Sequence, residues 1–206
     1  MAHKSRRPVG ARSLDRLMPF EDDCLLVVIE TPKGSSNKLA FEPRYGTFVL
    51  KSVLPAGAVF PFDFGFVPST RADDGDPLDV LVLMDAPVFP GCIVPSRLLG
   101  VIEAEQSADG ETERNDRLIA VAANTATHRS IQKLSDLSQD LIAQIEHFFI
   151  SYNEVKGKRF TVKGQSGEKR AIALVKAASI RSRLPSSASS LHVAISRRTR
   201  GSSRRR

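Results

Sequence analysis

Asp74-Gly75-Asp76-Pro77-Leu78-Asp79 runs directly into the apolar stretch Val80-Leu81-Val82-Leu83. Three carboxylates within six residues repel one another, and ordinary folding gives no reason to gather them. A hard divalent cation does, because Mg²⁺ takes oxygen ligands in near-octahedral array. Asp74 and Asp76 share a parity, so an extended backbone points both to one side. Gly75 permits a sharp turn, and Pro77 fixes φ ahead of the strand. Asp79 then stands at the strand entrance. The plainer reading is an acidic surface turn, since Asp, Gly and Pro are common turn residues.

On either side the chain alternates short apolar runs with polar breaks. Cys24 to Ile29 reads as a strand ending at Glu30, and Thr31 to Asn37 as a polar loop. Lys38 to Leu50 reads as a hairpin turned near Pro43 to Gly46. Val53 to Val67 reads as extended, with Phe60, Phe62, Phe64 and Phe66 at period two. Val80 to Met84, Ile93 to Val101 and Leu118 to Ala123 are further strands, and Gln106 to Asn115 is expected to be a loop. Ser135 to Tyr152 carries a helical stripe of Leu141, Ile145, Phe148, Phe149 and Tyr152. A second helix is expected over about 167–180, with Ala171, Leu174, Val175 and Ala178 on one face. Short strands followed by helices indicate an α+β domain.

Length and charge narrow the class. The 206 residues suit one domain with tails. The net charge of +7 is unevenly spread: residues 1–12 carry four basic residues and no acid, and 178–206 carry eight arginines and no acid. Residues 13–177 hold 18 basic and 23 acidic residues, a net charge of −5. The reading is a basic N-terminal arm over 1–17, a folded domain over 18–183, and a disordered Arg/Ser-rich tail over 184–206. Residues 1–12 and about 184–206 are expected to be mobile. The tails permit contact with nucleic acid, but the acidic domain argues against that as the main role. No apolar run approaches the roughly 20 residues of a membrane span. The basic start lacks an apolar stretch, so a cytoplasmic location is expected. Cys24 and Cys92 have no metal-like spacing and read as buried thiols in a reducing compartment. The four histidines show no ligand spacing, and His147 falls on the exposed side of the long helix.

The order of segments carries a resemblance. Val59-Phe60-Pro61-Phe62-Asp63-Phe64-Gly65-Phe66-Val67-Pro68 precedes the acidic run by a short polar loop. Pro87 to Gly91 follows the strand, and then comes a run containing Gly100-Val101-Ile102. This resembles the soluble inorganic pyrophosphatases of the single-domain, Mg²⁺-dependent type, over about residues 25–175. That family has a Tyr-Pro-x-x-Tyr-Gly-Tyr stretch, an Asp-Gly-Asp-Pro-x-Asp signature and a Pro-Gly turn in this order. The resemblance implies a small twisted β-barrel of the oligonucleotide-binding type flanked by two helices. It also implies Mg²⁺ as cofactor, inorganic pyrophosphate as substrate and a homo-oligomer.

Roles follow from the resemblance residue by residue. Asp76, the middle aspartate, is the implied general base. Asp74 and Asp79 are the implied metal ligands, with Asp76 and Glu30 counted among the metal-binding acids. Lys38, Lys51, Arg117 and Tyr152 are the implied phosphate contacts. Taken without the signature, Glu30 and Lys38 could be surface charges, and Tyr152 could complete the buried face of its helix. The chain also departs from the pattern. Lys-Tyr-Glu is replaced by Lys38-Leu39-Ala40, and an arginine by Lys51, which lacks the bidentate fork. Two tyrosines are Phe60 and Phe64. Gln106 and Asn115 stand where the family has aspartates, Arg117 keeps the cation, and Asn153 replaces a lysine. Asn115 is the expected neutral third metal ligand. Asp116 is the alternative, although one residue of shift turns a side chain to the other face of a strand. Asp109, Glu111 and Glu113 lie nearby for the same purpose. The leading expectation is metal-dependent hydrolysis of inorganic diphosphate. The alternative is a non-catalytic or altered-specificity binder of a phosphorylated metabolite.

Overall fold

Among the described residues, eight strands join into one mixed sheet, five of which close on themselves. The computed structural model describes residues 13–183, so the expectations for 1–12 and 184–206 fall outside the described residues. A 3-10 turn, Leu14–Arg16, leads into β1 (Phe20–Glu21) and β2 (Cys24–Thr31). A separate hairpin follows, β3 (Asn37–Glu42) and β4 (Thr47–Val53). Then come β5 (Asp63–Phe66), β6 (Asp79–Leu83), β7 (Ile93–Ala108), β8 (Glu111–Arg114) and β9 (Arg117–Ala122). The described residues end in α1 (Gln139–Glu154), β10 (Arg159–Gly167) and α2 (Glu168–Arg183). The ring runs β2-β5-β6-β9-β7 and back to β2. All of its pairings are antiparallel except the parallel pair β6 and β9. This closed ring with two helices is the oligonucleotide-binding type of α+β architecture that the sequence led us to expect.

Two apolar clusters hold the ring against the helices. In β6 and β9 alternate residues go to opposite sides, as strand geometry requires. Val80, Val82, Leu118 and Ala120 join Leu25, Val27 and Ile29 of β2 and Ala171, Val175 and Ala178 of α2. Leu81, Leu83, Ile119 and Val121 join Phe64 and Ile142, Ile145 and Phe149 of α1. Both faces of β6 and β9 are covered, which is why they read as continuous apolar runs. Gly65 shows how tightly the ring closes: a Cβ there would stand 2.1 Å from the Val28 carbonyl oxygen. The helix α1 starts where Ser138 Oγ accepts from the Leu141 amide at 3.2 Å, an ordinary N-cap.

Several boundaries moved. The expected loop 106–115 is a hairpin: β7 continues to Ala108 and pairs with β8, Glu105 opposite Arg114 and Ala108 opposite Glu111. Its residues are too polar and too exposed to announce a strand. Of the extended stretch 53–67, Val53 closes β4 and Asp63–Phe66 forms β5, and the residues between them are not strand. Phe60 instead bonds the loop before β3, its amide donating to the Ser35 carbonyl and its carbonyl accepting from the Gly34 amide. The long helix begins at Gln139 rather than Ser135, because Leu134–Asp136 forms a 3-10 turn tied by the Asp136 carboxylate. Strand β10 was not anticipated, although it pairs with β7 from Arg159 opposite Ser107 to Gly167 opposite Gly100. The end of the expected basic arm is folded, since the Ser69 amide donates to the Asp15 carbonyl at 2.8 Å. Cys24 and Cys92 are free and half-buried, and His147 is exposed. Among the described residues, no helix is long and apolar enough to cross a membrane.

Candidate active site

The acidic run forms a tied loop at one end of the ring. Its base is closed by the Val67 amide donating to the Leu78 carbonyl and by Thr70 Oγ1, which accepts from the Leu78 amide and donates to the Val67 carbonyl. The Ala72 amide donates to the Asp76 carbonyl at 2.7 Å, and Gly75 takes φ +88°, which a Cβ would disfavour. Asp74 Oδ1 accepts from the Asp76 amide at 3.0 Å. The tip residues Asp74 and Asp76 are exposed, while Asp79 is half-buried.

Register, not proximity in the chain, brings the partners to this loop. Val80 lies opposite Leu118 in the parallel pair, so Asp79 and Arg117 stand side by side one residue earlier. The Arg117 guanidinium pairs with Asp79 Oδ2 at 2.8 Å. It also bonds the Asn115 side-chain oxygen, and the Asn115 amide donates to Gln106 Oε1 at 3.1 Å. This guanidinium lies 4.9 Å from the Phe149 ring centre and 5.5 Å from that of Phe160. On the opposite side, Glu30 is the extra residue of a bulge between Ile29 and Thr31 of β2. Bulges re-aim side chains. Here the Glu30 carboxylate accepts from the Phe41 amide at 2.7 Å, while Thr31 Oγ1 exchanges hydrogen bonds with Leu39. The hairpin is therefore hung on the ring by side chains, and it presents Lys38 and Lys51 to the acidic loop.

Two clefts result, with Asp79 and Pro77 in the wall between them. The hairpin-side cleft is lined by Glu30, Lys38, Lys51, Asp76 and Asp79, with a volume of about 510 Å³, within the range of small-ligand sites. The helix-side cleft is lined by Asp74, Asp79, Asn115 and Arg117 together with α2 residues. Tyr152 belongs to the same end: its ring centre is 6.0 Å from Lys38 Nζ, and its ring packs edge-on against Phe60 at 5.9 Å. Lys38 Nζ also sits 4.5 Å above the Phe64 ring, so this phenylalanine steers the lysine through its π-face.

Burial dominates the electrostatics of the acids. Burial pushes the Glu30 carboxyl up to about 7, against the Phe41 amide and Lys38, with Asp79 and Asp76 adding to the rise. Loss of hydration pushes Asp74 up to about 6, again with Asp79 and Asp76 adding to it. Burial raises the Tyr152 phenol to about 12.

All nine residues singled out from the sequence lie around this end of the ring, but they are divided. The expectation that Asp74, Asp76 and Asp79 meet at a point reachable by one cation is not met as the side chains stand. Among the described residues, no group of three or more His, Cys, Asp or Glu side chains is close enough to hold a metal ion. Asp74 is turned onto its own loop by the Asp76 amide, and Asp79 is drawn to Arg117. The alternative ligand Asp116 is engaged elsewhere, accepting from the Ala104 amide at 3.1 Å and from Arg114 Nε at 2.6 Å. Glu113 accepts from the Gln106 amide, and Asp109 and Glu111 are exposed on the β7–β8 hairpin. Asn153 is buried and donates to the Phe149 carbonyl, turned away from the site. Two residues were not anticipated. Asp15, from the first 3-10 turn, lines the hairpin-side cleft, with Oδ1 buried and, among the described residues, without a hydrogen-bond partner. Lys156, one helical turn beyond Tyr152, bonds the Tyr152 hydroxyl. The i, i+4 spacing from Tyr152 was the signal that could have found it.

The sequence and the fold recur in known proteins. A family model described as inorganic pyrophosphatase matches residues 27–182. The chain is 36% identical over 180 residues to an inorganic pyrophosphatase of Thermus thermophilus, covering 86% of this chain and 96% of that protein. It is 40% identical over 152 residues to one from Leifsonia xyli subsp. xyli, covering 73% of this chain and 91% of that one. The crystal structure of the inorganic pyrophosphatase from Thermus thermophilus superposes with a TM-score of 0.76 at 35% identity, over 83% of this chain and 99% of that chain. The chain belongs to the inorganic pyrophosphatase family.

Proposed function

We propose that the protein hydrolyses inorganic pyrophosphate to two phosphates. The observation that carries this reading is the Asp74–Asp79 loop standing between acids and cations in a pyrophosphatase fold. Water attacks one phosphorus, the bridging P–O bond breaks, and its electrons leave on the second phosphate. Asp76 takes the proton from the attacking water, a task that suits a carboxylate held at the cleft edge. Lys38, Lys51, Arg117 and Tyr152 hold the non-bridging oxygens as charge moves to the leaving group.

The donors around the loop suit a hard cation in kind. They are carboxylate and amide oxygens, and the Glu30 and Asp74 carboxyls are raised by loss of hydration, with the neighbouring Asp79 and Asp76 adding to the rise. Asp74, Asp79, Asp76 and Glu30, with Asn115 as a neutral oxygen donor, would hold Mg²⁺. Bound there, Mg²⁺ supplies Lewis acidity and lowers the pKa of coordinated water. A homo-oligomer in the cytoplasm completes the reading. No observation favours a non-catalytic binder. The test is phosphate release from pyrophosphate by the full chain with Mg²⁺, beside Asp76→Asn. Release by the parent and not by the variant supports the reading; absence of release by the parent with Mg²⁺, Mn²⁺ or Co²⁺ overturns it.

A further inference from the structure

Lys156 is the least expected charge at this end of the ring. It follows α1 in a tight turn, its amide donating to the Asn153 carbonyl at 2.9 Å. That turn stacks it directly on Tyr152. Its Nζ lies 4.0 Å from the Tyr152 ring centre and bonds the hydroxyl. Lys38 Nζ approaches the same ring centre to 6.0 Å, so the two amines lie within 10 Å of each other. Among the described residues, neither amine has a carboxylate oxygen at salt-bridge distance. The charged groups acting on Lys156 are Lys38 on the hairpin, Arg117 and Asp79 at the starts of β9 and β6, and Lys158 beside it. Three cations against one acid, and that acid already paired with Arg117, is an arrangement that repels itself. Partial burial and these cations bring the Lys156 ammonium down to about 8. An anion with several oxygens removes the repulsion. The aromatic floor of Tyr152 and Phe64 holds the two amines in place for it.

We propose that Lys156 is a substrate-binding residue, donating to non-bridging oxygens of a diphosphate that seats across Tyr152 between Lys156 and Lys38. The proposal rests on the pyrophosphatase reading of the site, and it names a contact that the acidic signature does not contain. The cation–π contact pre-orients the amine, so little ordering is left for the moment of binding.

The experiment is calorimetric titration of the full chain with imidodiphosphate, a diphosphate whose bridging NH resists hydrolysis, in the presence of Mg²⁺. Pyrophosphate KM and kcat are measured in parallel. Lys156→Ala is expected to weaken imidodiphosphate binding and raise KM by about 10- to 100-fold, the range for a lost charge-assisted hydrogen bond. Lys156→Arg is expected to recover most of the binding, and Lys163→Ala, which removes a cation paired with Glu105 elsewhere, to leave both unchanged. Unchanged affinity in Lys156→Ala, with a parent that hydrolyses pyrophosphate, overturns the proposal and leaves the pyrophosphatase reading standing. A parent that neither binds nor hydrolyses a diphosphate overturns both. If Lys156→Ala also lowers the Tm, Lys156→Arg decides: recovered fold with recovered binding supports the contact, and recovered fold without binding overturns it.

Discussion

The two clefts flanking the Asp74–Asp79 loop hold similar numbers of charges but arrange them in opposite ways. On the helix side most charges are already matched. Arg117 pairs with Asp79, Arg114 with Asp116 and Glu103, and Arg170 with Glu103, all between 2.6 and 2.9 Å. On the hairpin side Lys51 meets Glu42 at 3.3 Å, but Glu30 is buried with the Phe41 amide and the field of Lys38 as its support, and Lys38 is held by ring faces. Matched charges position the backbone. Unmatched charges are stable only when a ligand supplies the missing partner, because desolvated charge without a partner is costly. The hairpin side is therefore where substrate and cation are expected to make their largest electrostatic gain.

The largest test of that contrast is Asp76→Asn. The amide keeps the shape of the side chain but takes no proton, so phosphate release should fall by about 10²–10⁴-fold with unchanged circular dichroism. Asp76 faces the unmatched cleft, and retained activity at saturating Mg²⁺ would remove its assigned role.

Next comes pH. Glu30 has a folded-state value of about 7 against an ordinary 4.5, so the folded, metal-free chain binds the extra proton. The sign follows: stability is full below about 4.5 and declines as pH rises through 7, by about 3 kcal/mol for a shift of this size. Urea unfolding in chelator at pH 4.5 and pH 8 measures it, and Glu30→Gln should flatten the slope. Mg²⁺ should act in the opposite direction, because it binds the ionised carboxylates. Its affinity should rise with pH through the values of Asp74 near 6 and Glu30 near 7.

On the matched side, Arg117→Met should cost about 2 kcal/mol in stability, since it strands Asp79. That figure is below the usual value for buried pairs because Asp79 keeps 24% side-chain exposure. Arg117→Lys should recover part of the loss. The smallest effect is expected at Lys51, whose 3.3 Å pair with Glu42 is solvent-exposed. Lys51→Ala should change stability by less than about 1 kcal/mol. A rise in KM without a change in Tm would show that Lys51 serves the substrate and not the hairpin.

Much of this was legible in one dimension. Apolar runs marked β2, β6 and β9, because strands covered on both faces have no polar positions to blur them. The α1 stripe was visible because one face of the helix is buried at helical period, with Ile145 and Phe149 fully buried as its spacing required. The acidic signature identified the loop and, through the resemblance, named residues that do gather at one end of the ring. Strand β10 was not legible, since Lys163-Gly164-Gln165-Ser166 has no apolar alternation and owes its conformation to β7.

The sequence by itself determined the apolar strands of the ring, the long helix and which side chains carry charge, because hydrophobic period and turn chemistry act between near neighbours. Only the tertiary structure decided which charges meet. Asp79 and Arg117 are joined by the register of a parallel strand pair, and Glu30 reaches the hairpin through a bulge in β2. Lys156 joins Lys38 because α1 lays Tyr152 beside the hairpin. Such pairings depend on contacts far apart in the chain, and electrostatic energy depends on distance and burial in space, which no local pattern of residues encodes.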